Sequence, residues 1–223
     1  MAHLPNKTLY FIRHGETLYN RRWRHQHAQV PLSERGRAQA AALARRFARE
    51  GGDEAIDVIL ASDTKRTEET AVPIAAAARC PIRYTPVLQE FHRASSVVDR
   101  SYFHPRSLYS VGMSVLKARD PRWSFEDAET PAQLMARAGR ALTEILNRPE
   151  ERIAVVSHRV MIMAMLDEMQ ASCDITIEKF LTDLLRSNLF ANTAVTKVSW
   201  EDGDDITDRV TIHYHNDTRH MDR

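Results

Sequence analysis

Short apolar runs alternate along this chain with longer stretches in which apolar residues recur at helical spacing. The first run, Leu9-Tyr10-Phe11-Ile12, passes straight into Arg13-His14-Gly15. So short a run of aromatic and aliphatic residues predicts a strand buried on both faces. Gly15 marks its end and a place where backbone can approach a ligand closely. The polar, arginine-rich stretch Asn20–His27 shows no period and reads as a loop. Ser33 then stands as the N-cap of a helix that runs through Ala38–Glu50 and stops at Gly51-Gly52. A second buried strand is expected over Ile56–Ala61, a helix capped by Ser62-Asp63-Thr64 over Lys65–Ala78, and a short third strand over Ile82–Tyr84.

Residues 93–128 break this rhythm with tryptophan, tyrosine and several prolines, and predict an insertion that packs over one end of the sheet. Thr130-Pro131 opens a helix that aligns Leu134, Ala138, Leu142 and Ile145. Arg152–His158 reads as a fourth strand, also ending in a histidine, with an apolar helix over Val160–Met169 directly after it. A helix over Thr176–Leu185 follows, then strands over Asn192–Trp200 and Asp208–Tyr214 joined by an acidic turn. Strand–helix alternation predicts the α/β class: a three-layer α/β/α sandwich whose largely parallel sheet gains an antiparallel edge from the closing hairpin. A single domain over 1–223, with the insertion at about 93–128, suits this length.

Composition narrows the function classes. Hydrophobic content of 43% and charged content of 27% are ordinary for a globular chain. A formal net charge of +1 gives no argument for binding nucleic acid or a membrane surface. No apolar run reaches the roughly 18 residues of a membrane span, and the N-terminus lacks the apolar segment of a secretory signal. Cys80 and Cys173 stand in no metal or redox spacing. His25 and His27 have no evident third ligand. The expectation is a cytoplasmic protein with no metal and no cofactor. Arginine greatly outnumbers lysine, which suits planar contacts to anions wherever arginines converge.

Convergence follows from topology. Arg13-His14, Arg66 and His158 each lie at or just beyond the carboxyl end of a predicted parallel strand. Those ends share one side of the sheet, where ligands of open α/β folds bind. Two guanidiniums hold a dianion such as phosphate through charge-assisted bonds. They also disfavour imidazolium, leaving a histidine beside the phosphate free to act as nucleophile.

Arg13-His14-Gly15-Glu16-Thr17 with Asn20 resembles the signature of the histidine phosphatase superfamily, which includes cofactor-dependent phosphoglycerate mutases and many phosphatases. The segments around Leu32-Ser33 and Gly36, Ser62 and Arg66, Thr70-Ala71, Leu88-Gln89-Glu90, Val156-Ser157-His158 and Asn192-Thr193 are similar to its later motifs, in the same order. The resemblance implies a phosphatase that hydrolyses a phosphate monoester through a phosphohistidine on His14. Arg13, Arg66 and His158 would clamp the phosphoryl oxygens, with Asn20 assisting, and Glu90 would act as general acid and then base. Asp63, Glu68 and Asp99 are the alternative acids. Glu16 is read as structural, paired with an arginine. Arg21, Arg22 and Arg24 are either a solvated basic loop or contacts for a second anionic group, with Arg21 taken as the substrate contact. Two other readings are a mutase-type phosphoryl transfer and a catalytically weak phospho-ligand or protein-binding module on the same fold.

The pattern departs from the family at three places. Arg159 stands where a glycine often follows the second histidine, and Phe91–Ser95 replaces a glycine- and glutamate-rich segment. His25-Gln26-His27 occupies the region of a Gly-Trp element that mutases tend to carry. The expected partner is a small phosphorylated substrate, and a homodimer is the one assembly left open. His213, His215 and His220 are expected at the surface.

Overall fold

Alternate residues of β1 (Lys7–Arg13) serve two different cores. Leu9 and Phe11 join one, and Tyr10 and Ile12 join the other, as a pleated strand with helices on both faces requires. The structure is a computed structural model that describes residues 6–52, 54–117, 120–169, 190–201 and 210–221. The predicted helix over Thr176–Leu185, the acidic turn and Cys173 lie outside the described residues.

Six strands form one sheet. β2 (Val58–Ala61), β3 (Ile82–Tyr84) and β4 (Arg152–Ser157) join β1, β5 (Val195–Trp200) and β6 (Val210–Asp217) in the order β3-β2-β4-β1-β5-β6. The first four in that order run parallel, whereas β5 and β6 pair antiparallel. This is the expected class, with the hairpin edge where the sequence places it. α2 (Glu34–Arg46) and α3 (Lys65–Ala78) cover the face that carries Tyr10, Ile12, Ile59 and Val156. α5 (Pro131–Leu146) and α6 (Arg159–Met169) cover the face that carries Leu9, Phe11, Leu60 and Val155. Each fully buried aliphatic side chain in these layers contributes about 1.5–3 kcal/mol.

Local signals explain the element ends. The Ser33 hydroxyl accepts from the Gly36 N–H and caps α2. Thr130 and Gln133 form a reciprocal capping box on α5. Some boundaries differ from expectation: β5 begins at Val195 rather than Asn192, and β6 ends at Asp217 rather than Tyr214. α2 ends at Arg46 rather than near Glu50, and β2 begins at Val58 rather than Ile56. The stretch read as a loop contains a short helix, α1 (Leu18–Arg21). Its cause is Thr17, whose side chain accepts from the Asn20 N–H while the Asn20 carboxamide accepts from the Thr17 N–H.

Residues 93–128 hold α4 (Pro105–Leu116) and are stitched to the loop after α1 by backbone pairing. The His25 N–H donates to Arg100 O, the Asp99 N–H to His25 O, and the Tyr102 N–H to Trp23 O. Among the described residues, no helix is long and apolar enough to cross a membrane.

Candidate active site

Register places the two histidines side by side. β1 and β4 are neighbours with Arg13 opposite Ser157, so His14 and His158 follow at the same level. Their ring centroids are 5.2 Å apart. β2 lies on the other side of β4, and the chain leaving it enters α3, whose first turn carries Arg66. All three predicted strand-end groups therefore meet at one edge of the sheet. Arg13, His14 and Arg66 line a crevice of about 430 Å³ with Asn20, Glu90, Arg93, Tyr102 and Arg159, while His158 is fully buried beside them.

The turn after β1 is held rigidly. Gly15 donates its N–H to Thr70 Oγ1 at 3.0 Å, and Glu16 its N–H to Gln39 Oε1 at 2.9 Å. A Cβ on Gly15 would lie 2.7 Å from Gly36 O, and one on Gly36 would lie 2.0 Å from Glu16 O. Gly15 thus serves close approach between this turn and α2, not to a ligand as expected. Glu16 is structural, as expected: it accepts from Ser33 Oγ at 2.9 Å and lies 3.6 Å from Arg35.

His14 is buried, with Nδ1 2.7 Å from Gly15 O. A carbonyl only accepts, so Nδ1 carries the proton and Nε2 keeps its lone pair. Burial, then the charges of Arg66 and Arg13, hold its pKa well below the usual histidine range. His158 has the opposite tautomer. Its Nδ1, 3.2 Å from Arg66 Nη2, can only accept from a guanidinium, which puts the proton on Nε2, 3.1 Å from Ser62 Oγ. Its pKa is likewise driven well down, by burial first and by Arg66 next.

Arg13 and Arg66 are cations without counter-ions. Among the described residues neither takes part in an ion pair, and the buried Nε of each has no partner. Arg13 Nη1 donates to Phe190 O at 2.5 Å and Arg66 Nη1 to His27 O at 2.9 Å. Burial pulls both guanidiniums down to about 10, and Glu90 acts against that fall in each. Buried guanidiniums with idle donors create a strong demand for an anion.

Glu90 lines the same crevice and accepts, through Oε1, from the Phe91 N–H at 3.0 Å and the Val160 N–H at 3.2 Å. Its segment is fixed from two sides. Ser157 Oγ donates to Leu88 O at 2.7 Å, while Arg137 reaches Val87 O, Gln89 O and Glu90 O. Arg137 is itself paired with Glu129 through Nε and Nη2, at 2.9 and 2.6 Å, with both side chains buried. Sequence reading missed Arg137 because its value depends on carbonyls some fifty residues away. It also gave no role to Asn192, whose Nδ2 donates to His14 O at 3.0 Å and approaches Asn20 Oδ1.

Arg21 does not join this assembly. It ends α1 exposed and does not line the crevice. Arg93 and Arg159 line it instead. Of the alternative acids, none of Asp63, Glu68 and Asp99 lines it. His220, expected at the surface, is buried with Nε2 3.0 Å from Thr193 Oγ1, whereas His213 and His215 are exposed. No group of three or more potential metal ligands occurs among the described residues.

The model of the histidine phosphatase superfamily (branch 1) matches residues 9–213. A probable phosphoglycerate mutase, GpmB, of Enterobacter sp. (strain 638) is 34% identical over 161 residues, 68% of this chain and 69% of that protein. Phosphoglycerate mutase-like protein 1 of Arabidopsis thaliana is 22% identical over 216 residues, 78% of this chain and 75% of that protein. Among solved structures, Bacillus stearothermophilus YhfR superposes with a TM-score of 0.77 at 22% identity, covering 96% of this chain and 99% of that one. A mycobacterial glucosyl-3-phosphoglycerate phosphatase complexed with VO3 gives 0.73 at 22% identity, covering 94% and 99%. At such identities the structural likeness speaks for the fold alone.

Proposed function

This chain belongs to the histidine phosphatase superfamily, and on that premise we propose that it hydrolyses a phosphate monoester through a phosphohistidine on His14. The observation that carries the reading is a buried, neutral His14 with Nδ1 engaged and Nε2 free, beside the guanidiniums of Arg13 and Arg66, which have no counter-ion among the described residues.

In the first step Nε2 attacks phosphorus, the bond to the leaving oxygen breaks, and protonated Glu90 delivers its proton to that oxygen. Arg13 and Arg66 stabilise the equatorial oxygens, where most of the catalytic effect in phosphoryl transfer arises. In the second step water attacks, Glu90 takes its proton, and breaking the N–P bond restores neutral His14. His158 holds Arg66 in place in the free protein. A bound dianion offsets the two guanidinium charges; for His158 to donate to a phosphoryl oxygen as well, Nδ1 must release Arg66 and take up a proton from solvent, an uptake that the dianion's charge favours.

Product analysis tests the reading. Incubation with 3-phosphoglycerate, a bisphosphoglycerate primer and aryl phosphates is expected to release inorganic phosphate and form no 2-phosphoglycerate. Formation of 2-phosphoglycerate without net phosphate release overturns it in favour of the mutase reading. Arg93 and Arg159, which line the crevice, favour that second reading because they offer a grip for a substrate carboxylate. The missing Gly-Trp element and the apolar wall that Phe91 shares with Trp123 and Met135 favour hydrolysis.

Glu90→Gln is expected to lower kcat about 10²–10⁴-fold for an alkyl phosphate, whose leaving oxygen needs a proton. With p-nitrophenyl phosphate, whose leaving group needs none, the variant should release one rapid equivalent of nitrophenol and then turn over slowly. Equal impairment of both substrates without a burst removes Glu90 from the proton-transfer role.

The lowered histidine pKa values predict a pH response. In the free protein, the His14 and His158 ring nitrogens should still be neutral as pH falls through the ordinary histidine value of 6.5, followed by nitrogen NMR of labelled imidazoles. The unfolded chain takes up protons near pH 6.5 and the folded one does not, so stability should decline as pH drops below that value. Ring titration near pH 6.5 in the free protein contradicts the geometry.

A further inference from the structure

A second cavity, of about 190 Å³, adjoins the crevice, and His25, Phe91, Arg93 and Val160 line both. Its other walls are largely apolar: Val97, Trp123, Phe125, Leu134 and Met135. The helix above it is turned the unusual way round. Ser107, Ser110, Val111 and Ser114, at spacings that define one face of α4, line the cavity. The bulky residues of that helix, Leu108, Tyr109, Val115 and Leu116, are exposed, as is Val111 at the cavity rim. A helix that merely closed a core would present its large residues inward. Here small side chains keep the space open.

Polar groups wait inside. Ser107 is 1% exposed and its Oγ has no partner among the described residues. His25 is 5% exposed and neither ring nitrogen has one. Burial, and secondarily Arg93, pulls the His25 pKa down to about 3, so the ring is neutral and offers one donor and one acceptor. Buried polar groups without partners are costly and rare. A largely apolar space with a few convergent polar groups is the usual make-up of a small-molecule site. An apolar cavity of about 150 Å³ accommodates benzene, so this one has room for a ring with a small substituent.

We propose that this cavity is the leaving-group subsite, which takes a ring-sized apolar moiety of the phosphate monoester whose phosphate lies at His14, with His25 and Ser107 as its polar contacts. The proposal deepens the phosphatase reading and rests on it for the position of the phosphate. It makes esters of aromatic or compact apolar alcohols, rather than small polyols, the preferred substrate class.

Calorimetric titration of the full chain with methylphosphonate and with benzyl-, 2-phenylethyl- and 3-phenylpropylphosphonate tests it without turnover. At least one aryl arm should bind about tenfold or more tightly than methylphosphonate. Ser110→Phe, which fills the cavity, should abolish that preference. Ser110→Leu replaces it if the phenylalanine variant shows no cooperative thermal transition. Equal affinity across the wild-type series overturns the proposal, and so does a preference that survives a folded filling variant. The two readings fail separately. Aryl preference without hydrolysis of 2-phenylethyl phosphate sinks the phosphatase reading and keeps the subsite. Hydrolysis without aryl preference does the reverse.

Discussion

Replacing His14 with alanine is expected to lower turnover of every phosphate monoester at least about a thousandfold, more than about 4 kcal/mol of barrier. The loss follows from the tautomer. With Nδ1 committed to Gly15 O, Nε2 is the lone pair aimed at the crevice, and alanine removes it. His158 does not substitute, because it accepts from Arg66 through Nδ1 and donates through Nε2 to Ser62. The cage survives the change: Arg13 remains bonded to Phe190 O and Arg66 to His27 O. Vanadate or inorganic phosphate should therefore still bind, and the thermal transition should persist. Steady-state assay of an aryl phosphate beside anion titration checks both halves. Activity within about tenfold of the wild type defeats the phosphohistidine route. Loss of activity together with anion binding points to collapse of the cage instead.

The second large effect is predicted far from phosphorus. Arg137→Met should destabilise the fold by about 3–5 kcal/mol, because it strands the buried Glu129 carboxylate. It also leaves the carbonyls of Val87, Gln89 and Glu90 without a donor they now share. For a chain of this size the melting temperature should fall by roughly 2–4 °C per kcal/mol. Arg137 is a positioning residue, and a purely structural role would leave the chemistry alone once the protein is folded. At a temperature where the variant is folded, kcat should still drop while KM changes little, because Glu90 loses its fixed place. Arg137→Met with Glu129→Leu should regain part of the stability, since the uncompensated charge is gone, but not the lost kcat. A loss below about 1 kcal/mol by denaturant titration contradicts this account.

Which strand ends carry chemistry was legible before any coordinates, since apolar runs into Arg13-His14 and into Ser157-His158 are local patterns. Helix starts were legible for the same reason, because Ser33 and Thr130 bond N–H groups three residues ahead. Helix ends were less so: α2 stops at Arg46, with the fully buried Phe47 as its C-cap, before its glycines. Arg21 reads like an anion contact in sequence, yet α1 turns it outward, and Arg93 and Arg159 line the crevice instead. His220 looks like part of a polar tail and is buried against Thr193 only because the chain returns to β5.

By itself, the sequence determined the α/β class, the order of the motifs and the identity of the nucleophile candidate. Periodicity and capping act over a few residues, and the carboxyl ends of parallel strands must share one edge. Only the tertiary structure decided which nitrogen of His14 is free, what holds Glu90, and that an open cavity lies under α4. Those depend on contacts between residues such as Glu90 and Arg137, or His14 and Asn192, far apart along the chain. A guanidinium or a carbonyl acquires its function from whatever the fold sets beside it.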